Sequence, residues 1–163
     1  MTYQWWKFLH IAGAFAFLLA HGVSMAVALR LRRERDRERI AALLEISSTS
    51  ISGMYGGLLI LIAAGVVLGF TPGIPGSFWG QAWIWTAIGV LLATMILMYA
   101  VAMPYYRRIR EAVTTKRGES YLISDEELSD ALTSNRPWVV LVGGVVGLAV
   151  ILWLMTLKGA PLL

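Results

Sequence analysis

Residues 6–29 read WKFLHIAGAFAFLLAHGVSMAVAL, a run whose only ionisable side chains are Lys7, His10 and His21. A helix of that length rises about 36 Å, enough to cross the roughly 30 Å hydrocarbon core of a bilayer. Three more apolar runs follow, at about residues 51–70, 82–103 and 138–157. Of the 163 residues, 58% are hydrophobic and 15% charged, which excludes a soluble globular domain and fits a small polytopic membrane protein. The predicted fold is all-α. Residues 1–163 form a single integral membrane domain, a four-helix transmembrane bundle with two polar helical loops.

Orientation follows from the basic residues. The first polar loop carries Arg30, Arg32, Arg33, Arg35, Arg37 and Arg39, and the second carries Arg107, Arg108, Arg110, Lys116, Arg117 and Arg136. Only Lys7 and Lys158 lie on the other side. Positive charge concentrates in cytoplasmic loops, so both loops are expected in the cytoplasm and both termini outside, in a bacterial inner membrane. Trp5, Trp6, Trp79, Trp83 and Trp153 then mark an outer aromatic belt, and Tyr105, Tyr106 and Trp138 an inner one. One positive charge precedes the first apolar run and six follow it, the reverse of a secretory signal, so the run is expected to stay as a membrane helix.

Several chemistries are excluded. The chain has no cysteine, which removes disulfides, thiolate metal sites, iron–sulfur clusters and covalently attached haem. All ten acidic residues fall in the polar loops, so no carboxylate pair or intramembrane acid serves catalysis or proton pumping. Gly143-Gly144 lies inside an apolar run without the Lys-Ser/Thr of a phosphate loop, and the net charge of +4 reflects lipid-facing arginines rather than nucleic-acid binding.

Local signals shape the loops and the packing. Residues 30–46 are expected to continue the first helix, with Ile40, Leu43 and Leu44 inward and the alternating Arg and Glu on a solvated face. Ser124-Asp-Glu-Glu127 is a capping box that opens a short helix, and Pro137 suits the first turn of the fourth span. Uncharged TPGIPGSFWG (71–80) is a turn. Gly53/Gly57, Gly65/Gly69 and Gly143/Gly147 form small-xxx-small pairs, and Ala12, Ala16, Ala20, Ser24 and Ala28 repeat every fourth residue. Such ridges let helices approach closely in lipid, and with three glycine pairs one is expected to serve a homo-oligomer or a larger membrane complex.

His10 and His21 are the only histidines. Their spacing is close to three helical turns, so they point to nearly the same side of the helix, about 16 Å apart along its axis. Ala14, Phe17, Met25 and Ala28 share that side. His10 lies shallowly and is equally well explained by a hydrogen bond near the interface; His21 lies deep, where an ionisable side chain marks a functional site or a bond to Ser24 or a tyrosine. The expected cofactor is haem b, one or two groups held non-covalently by His10 and His21 as metal ligands. Gly13, Ala14 and Gly22 would leave room for a flat macrocycle. Sixth ligands are Met155, at the depth of His10, and Met95, at the depth of His21; a second copy of the chain or an open iron position are the alternatives.

The opening WWKFLHIAGAFAFLLAHG (5–22) resembles the first helix of the bacterial copper-resistance protein D and HemJ-like membrane families, where a polar residue, a two-residue gap and a His precede a Gly/Ala-rich run. The layout with an Arg-rich first loop is similar to an uncharacterised family of predicted integral membrane proteins in that group. The HemJ resemblance implies haem bound at His10 and protoporphyrinogen oxidation. This chain lacks the Leu-Pro-Arg that follows the first helix there and has no Lys in its third span, which argues against the oxidase activity. The copper-resistance resemblance implies copper handling, for which Met25, Met54, Met95, Met98 and Met103 are soft ligands. The expected function is a haem b protein for transmembrane electron transfer or redox sensing. The alternatives are a copper-handling protein and a cofactor-free accessory subunit.

Overall fold

A computed structural model describes residues 2–71, 78–114 and 123–157. The turn expected at 72–77, Lys116, Arg117 and Lys158 lie outside them. The helices are α1 (Tyr3–Leu31), α2 (Arg37–Phe70), α3 (Ala82–Val113), α4 (Asp125–Thr133) and α5 (Arg136–Leu157), with a single 3₁₀ turn at Phe78–Gly80. Four helical stretches are long and apolar enough to cross a membrane, as the sequence indicates.

Antiparallel pairs build the bundle. Along α1 and α2 the close approaches run Ala20 to Gly53, Phe17 to Gly57, Gly13 to Leu61 and His10 to Gly65. At the centre of that seam the two backbones touch. A Cβ on Gly57 would lie 2.5 Å from the Phe17 nitrogen, and one on Gly13 would lie 2.6 Å from the Leu61 nitrogen. Lipid tails give helices no hydrophobic drive to associate, so stability there comes from van der Waals contact, which bare glycine faces bring to full density. The α3–α5 seam is similar in direction but mediated by side chains: Gly143 receives Leu97 and Gly147 receives Thr94. Gly69 is covered by Phe78 and Trp79. All three glycine pairs therefore meet residues of this same chain.

At the charged end the sequence reading needs correction. Residues 30–46 do not continue α1. The chain tightens through Arg33 N–H to the Arg30 carbonyl and Glu34 N–H to the Leu31 carbonyl, then restarts at Asp36. The Asp36 carboxylate accepts the N–H groups of Glu38 (2.9 Å) and Arg39 (3.3 Å), satisfying the open donors of a new helix. Glu34 in this corner accepts the backbone N–H groups of Arg35 and Asp36, which hold its carboxyl below the usual carboxylate range. The third span, read as ending before Pro104, runs on as helix to Val113. It does so because Tyr105, Ile109 and Ala112 beyond the proline have a core to enter.

That core lies outside the apolar spans. Val27, Leu31, Ile40, Leu44, Tyr105, Ile109, Ala112, Leu128 and Leu132 form one buried cluster where α1, α2, α3 and α4 meet. The capping box at Ser124 and Glu127 forms as expected and aims Leu128 and Leu132 into it. Tyr105 and Tyr106 are thus not an interfacial belt: Tyr105 is 4% exposed, and Tyr106 donates to the Ser24 carbonyl at 3.1 Å. Arg37, read as part of a solvated face, is 12% exposed at its side chain. Its guanidinium donates to the carbonyls of Ala112 and Ile123 and to Asp125, closing the C-terminal end of α3 onto the start of α4. Arg32 reaches the Ser134 carbonyl from the same corner.

Two outcomes are expected in detergent unfolding titrations followed by circular dichroism. Gly57→Ala forces the α1 and α2 backbones apart and costs about 1–3 kcal/mol, whereas Gly53→Ala, whose Cβ would find Ala20 at an ordinary 3.7 Å, stays near wild type. Arg37→Met leaves two carbonyls without their donor and lowers stability by about 1–3 kcal/mol.

Candidate functional site

The α1–α2 seam decides where His10 goes. Because Gly65 has no side chain, the imidazole lies against α2, with Cε1 about 3.0 Å from the position a Gly65 Cβ would take. From there Nδ1 donates to the Leu61 carbonyl at 2.8 Å. A carbonyl oxygen only accepts, so Nδ1 carries the hydrogen and, in the neutral ring, the Nε2 lone pair is left available. Metal-bound histidines are typically held in this way, with the second ring nitrogen fixed by a carbonyl or carboxylate.

His21 meets a different helix. Although the spacing puts both histidines on nearly the same side of α1, His10 lies against Gly65 of α2 while His21 reaches Gly144 of α5. A Cβ on Gly144 would lie 3.5 Å from His21 Nε2 and 2.6 Å from Met98 Cε, so these two side-chain ends come within about 6 Å of each other. Phe17 lies parallel to the His21 ring, centroids 6.0 Å apart and planes 2° apart. Ser24 is engaged elsewhere: its hydroxyl pairs with Ser47 at 3.0 Å and lies 3.4 Å from the Tyr106 hydroxyl. This small polar cluster ties α1, α2 and α3 together one turn below His21.

The other sequence candidates fall as follows. Gly13 gives its bare face to the α2 backbone, so the room expected there for a macrocycle is taken. Ala14 is half-buried one turn from His10, and Gly22 faces open space. Met95 is half-buried, three residues before the methionine that reaches the Gly144 notch. Met155 is 41% exposed near the end of α5.

Sequence reasoning names Met98 only among the copper-ligand candidates and Gly65 only as a packing residue, and it gives Gly144 no place at the site, because helical spacing gives the azimuth of a residue and not the neighbour it meets. It also missed two orphan donors. The indole Nε1–H groups of Trp79 and Trp153 are buried without a hydrogen-bond partner among the described residues. Helix register places both tryptophans toward the His10 end of the bundle. Buried unsatisfied donors are rare and mark a group that an acceptor would complete. Among the described residues no cluster of three or more His, Cys or acidic side chains forms a protein-only metal cage.

No curated protein and no solved structure matches the chain. A family profile does match, over residues 4–159, which is nearly the whole chain. With its four membrane-length helices, this chain belongs to the family described as predicted integral membrane protein (DUF2269).

Proposed function

We propose that this multi-pass membrane protein binds haem b non-covalently and serves transmembrane electron transfer or redox sensing. One observation carries the reading: His10 is held by the Leu61 carbonyl through Nδ1, with Nε2 left as a ligand. Two features add support. The orphan indole donors of Trp79 and Trp153 toward the same end suit the carboxylate side chains of haem, and the bare face of Gly144 brings His21 and Met98 together as a second, His/Met ligand pair. The resemblance of residues 5–22 to the HemJ-like family points the same way. Bound haem supplies one-electron chemistry whose potential the axial ligands tune. The protein's own residues orient the imidazoles, exclude water and surround the site with apolar side chains.

The basic residues concentrated at one end support a cytoplasmic placement for that end, with both termini outside, in a bacterial inner membrane. A copper-handling protein is the second reading. The convergence of His21 Nε2 and the Met98 thioether favours it, since imidazole and thioether together suit Cu(I).

Absorption spectra of the protein purified in mild detergent, oxidised and then reduced with dithionite, test the proposal. A Soret band that sharpens on reduction, with resolved α and β bands, is expected. His10→Ala and His21→Ala should each lower the haem content, and Met98→Leu should keep haem while removing the sulfur-to-iron charge-transfer band of the ferric form. Gly65→Ala, which presses on the His10 ring, should weaken haem retention without removing a ligand. A preparation that stays colourless after haem is added contradicts the proposal; stoichiometric copper in elemental analysis would then favour the second reading.

A further inference from the structure

A cavity of about 500 Å³ opens at the charged end, between the last turns of α3 and the helix α4. Its floor is apolar, formed by Ala112, Leu128 and the buried Tyr105. Its walls carry charges of both signs: Arg108 and Arg136 on one hand, Glu111, Glu127 and Asp130 on the other. Among the described residues neither arginine has an ion-pair partner, although carboxylates line the same cavity. Arg136 and Tyr105 also border a small apolar void of about 10 Å³, lined by Met25, Ala28, Ala102 and Val140, where α1, α3 and α5 meet. Arg136 opens α5 two residues before Trp138, so the charged chamber lies at the level where that apolar span begins.

We infer that this chamber binds the headgroup of a zwitterionic phospholipid of the phosphatidylethanolamine type. Guanidinium groups recognise a phosphodiester through paired charge-assisted hydrogen bonds, which Arg108 and Arg136 are free to offer. The ammonium group of the same headgroup then meets the carboxylates of Glu111 and Asp130. A phosphatidylglycerol headgroup brings the phosphate without the cation and leaves those carboxylates facing an anion, so the chamber discriminates by charge pattern. The chamber's place at the start of the apolar run of α5 argues for a lipid over a soluble phosphoamine, because a lipid headgroup held there keeps its acyl chains at the level of the membrane-length helices. The inference does not depend on haem, nor on which side of the membrane the charged end faces.

Native mass spectrometry of the delipidated protein, incubated with equal amounts of dioleoyl-phosphatidylethanolamine and dioleoyl-phosphatidylglycerol, tests it. Wild type should retain the ethanolamine lipid preferentially. Arg108→Gln and Arg136→Gln should each lower that retention about tenfold, the effect of losing one charge-assisted hydrogen bond. Both positions are exposed, and helical content by circular dichroism verifies that each variant is folded. Glu111→Gln with Asp130→Asn should instead raise the glycerol lipid to parity. Equal retention of the two lipids by wild type, or unchanged retention in folded Arg108→Gln and Arg136→Gln, overturns the inference. Displacement of the lipid by millimolar glycerophosphoethanolamine would assign the chamber to a soluble zwitterion and overturn the lipid source.

Discussion

The contact on which the structure depends is the backbone-to-backbone approach of α1 and α2 at Gly13 and Gly57. No side chain lies between the helices there, and a single added methyl would fall within 2.6 Å of the opposing main chain. In an environment without a hydrophobic drive, this is the closest packing two helices achieve, and it fixes both their separation and their register. Everything along the seam inherits that register. One direction leads to His10 over Gly65, and the other to Ser24 against Ser47. A histidine donating to a helix carbonyl requires a helix near enough to offer one, and the glycines supply that nearness.

The two ends of the molecule are held by different physics. Across the membrane-length segments, exposed Leu, Val, Ile and Phe face outward, and cohesion comes from close packing at small residues. Beyond them, Leu31, Ile40, Ile109 and Leu132 are fully or almost fully buried in a core of the kind found in water-soluble proteins. Arginines from the α1–α2 corner then tie the pair to α3 and α4 through main-chain carbonyls, to which Arg37 adds the carboxylate of Asp125. A guanidinium fork satisfies several acceptors at once, which explains why Arg37 is drawn inward from a segment otherwise rich in solvated charge.

Much of this was legible from the residues. The four spans follow from hydropathy and length alone, and the Ser124–Glu127 capping box and the role of the glycine pairs follow from local chemistry. The misreadings have physical causes. Asp36 sits among alternating charges that pattern as one long helix, and only the backbone shows its carboxylate capping a new one. The third apolar run ends at Met103, yet the helix continues through Pro104 because the tyrosine and isoleucine beyond it enter the core. Tyr105 and Tyr106 carry the composition of an interfacial belt but are claimed by the α1 backbone. Which methionine shares the Gly144 face with His21 was not legible, since depth along a helix does not separate Met95 from Met98 and only the packing places Met98 there.

Function in this reading rests on the state of one ring, His10, whose Nδ1–H is committed to Leu61 and whose Nε2 is thereby offered to a metal. Because the chain has only two histidines, nitrogen-15 solid-state NMR of histidine-labelled protein in bilayers resolves them without crowding, and a His21→Gln variant assigns the remaining signal to His10. The structure predicts a protonated Nδ1 and an unprotonated Nε2 before haem is added, and a large shift confined to Nε2 afterwards. A His10 ring protonated at Nε2 alone, with no response to haem, would contradict it.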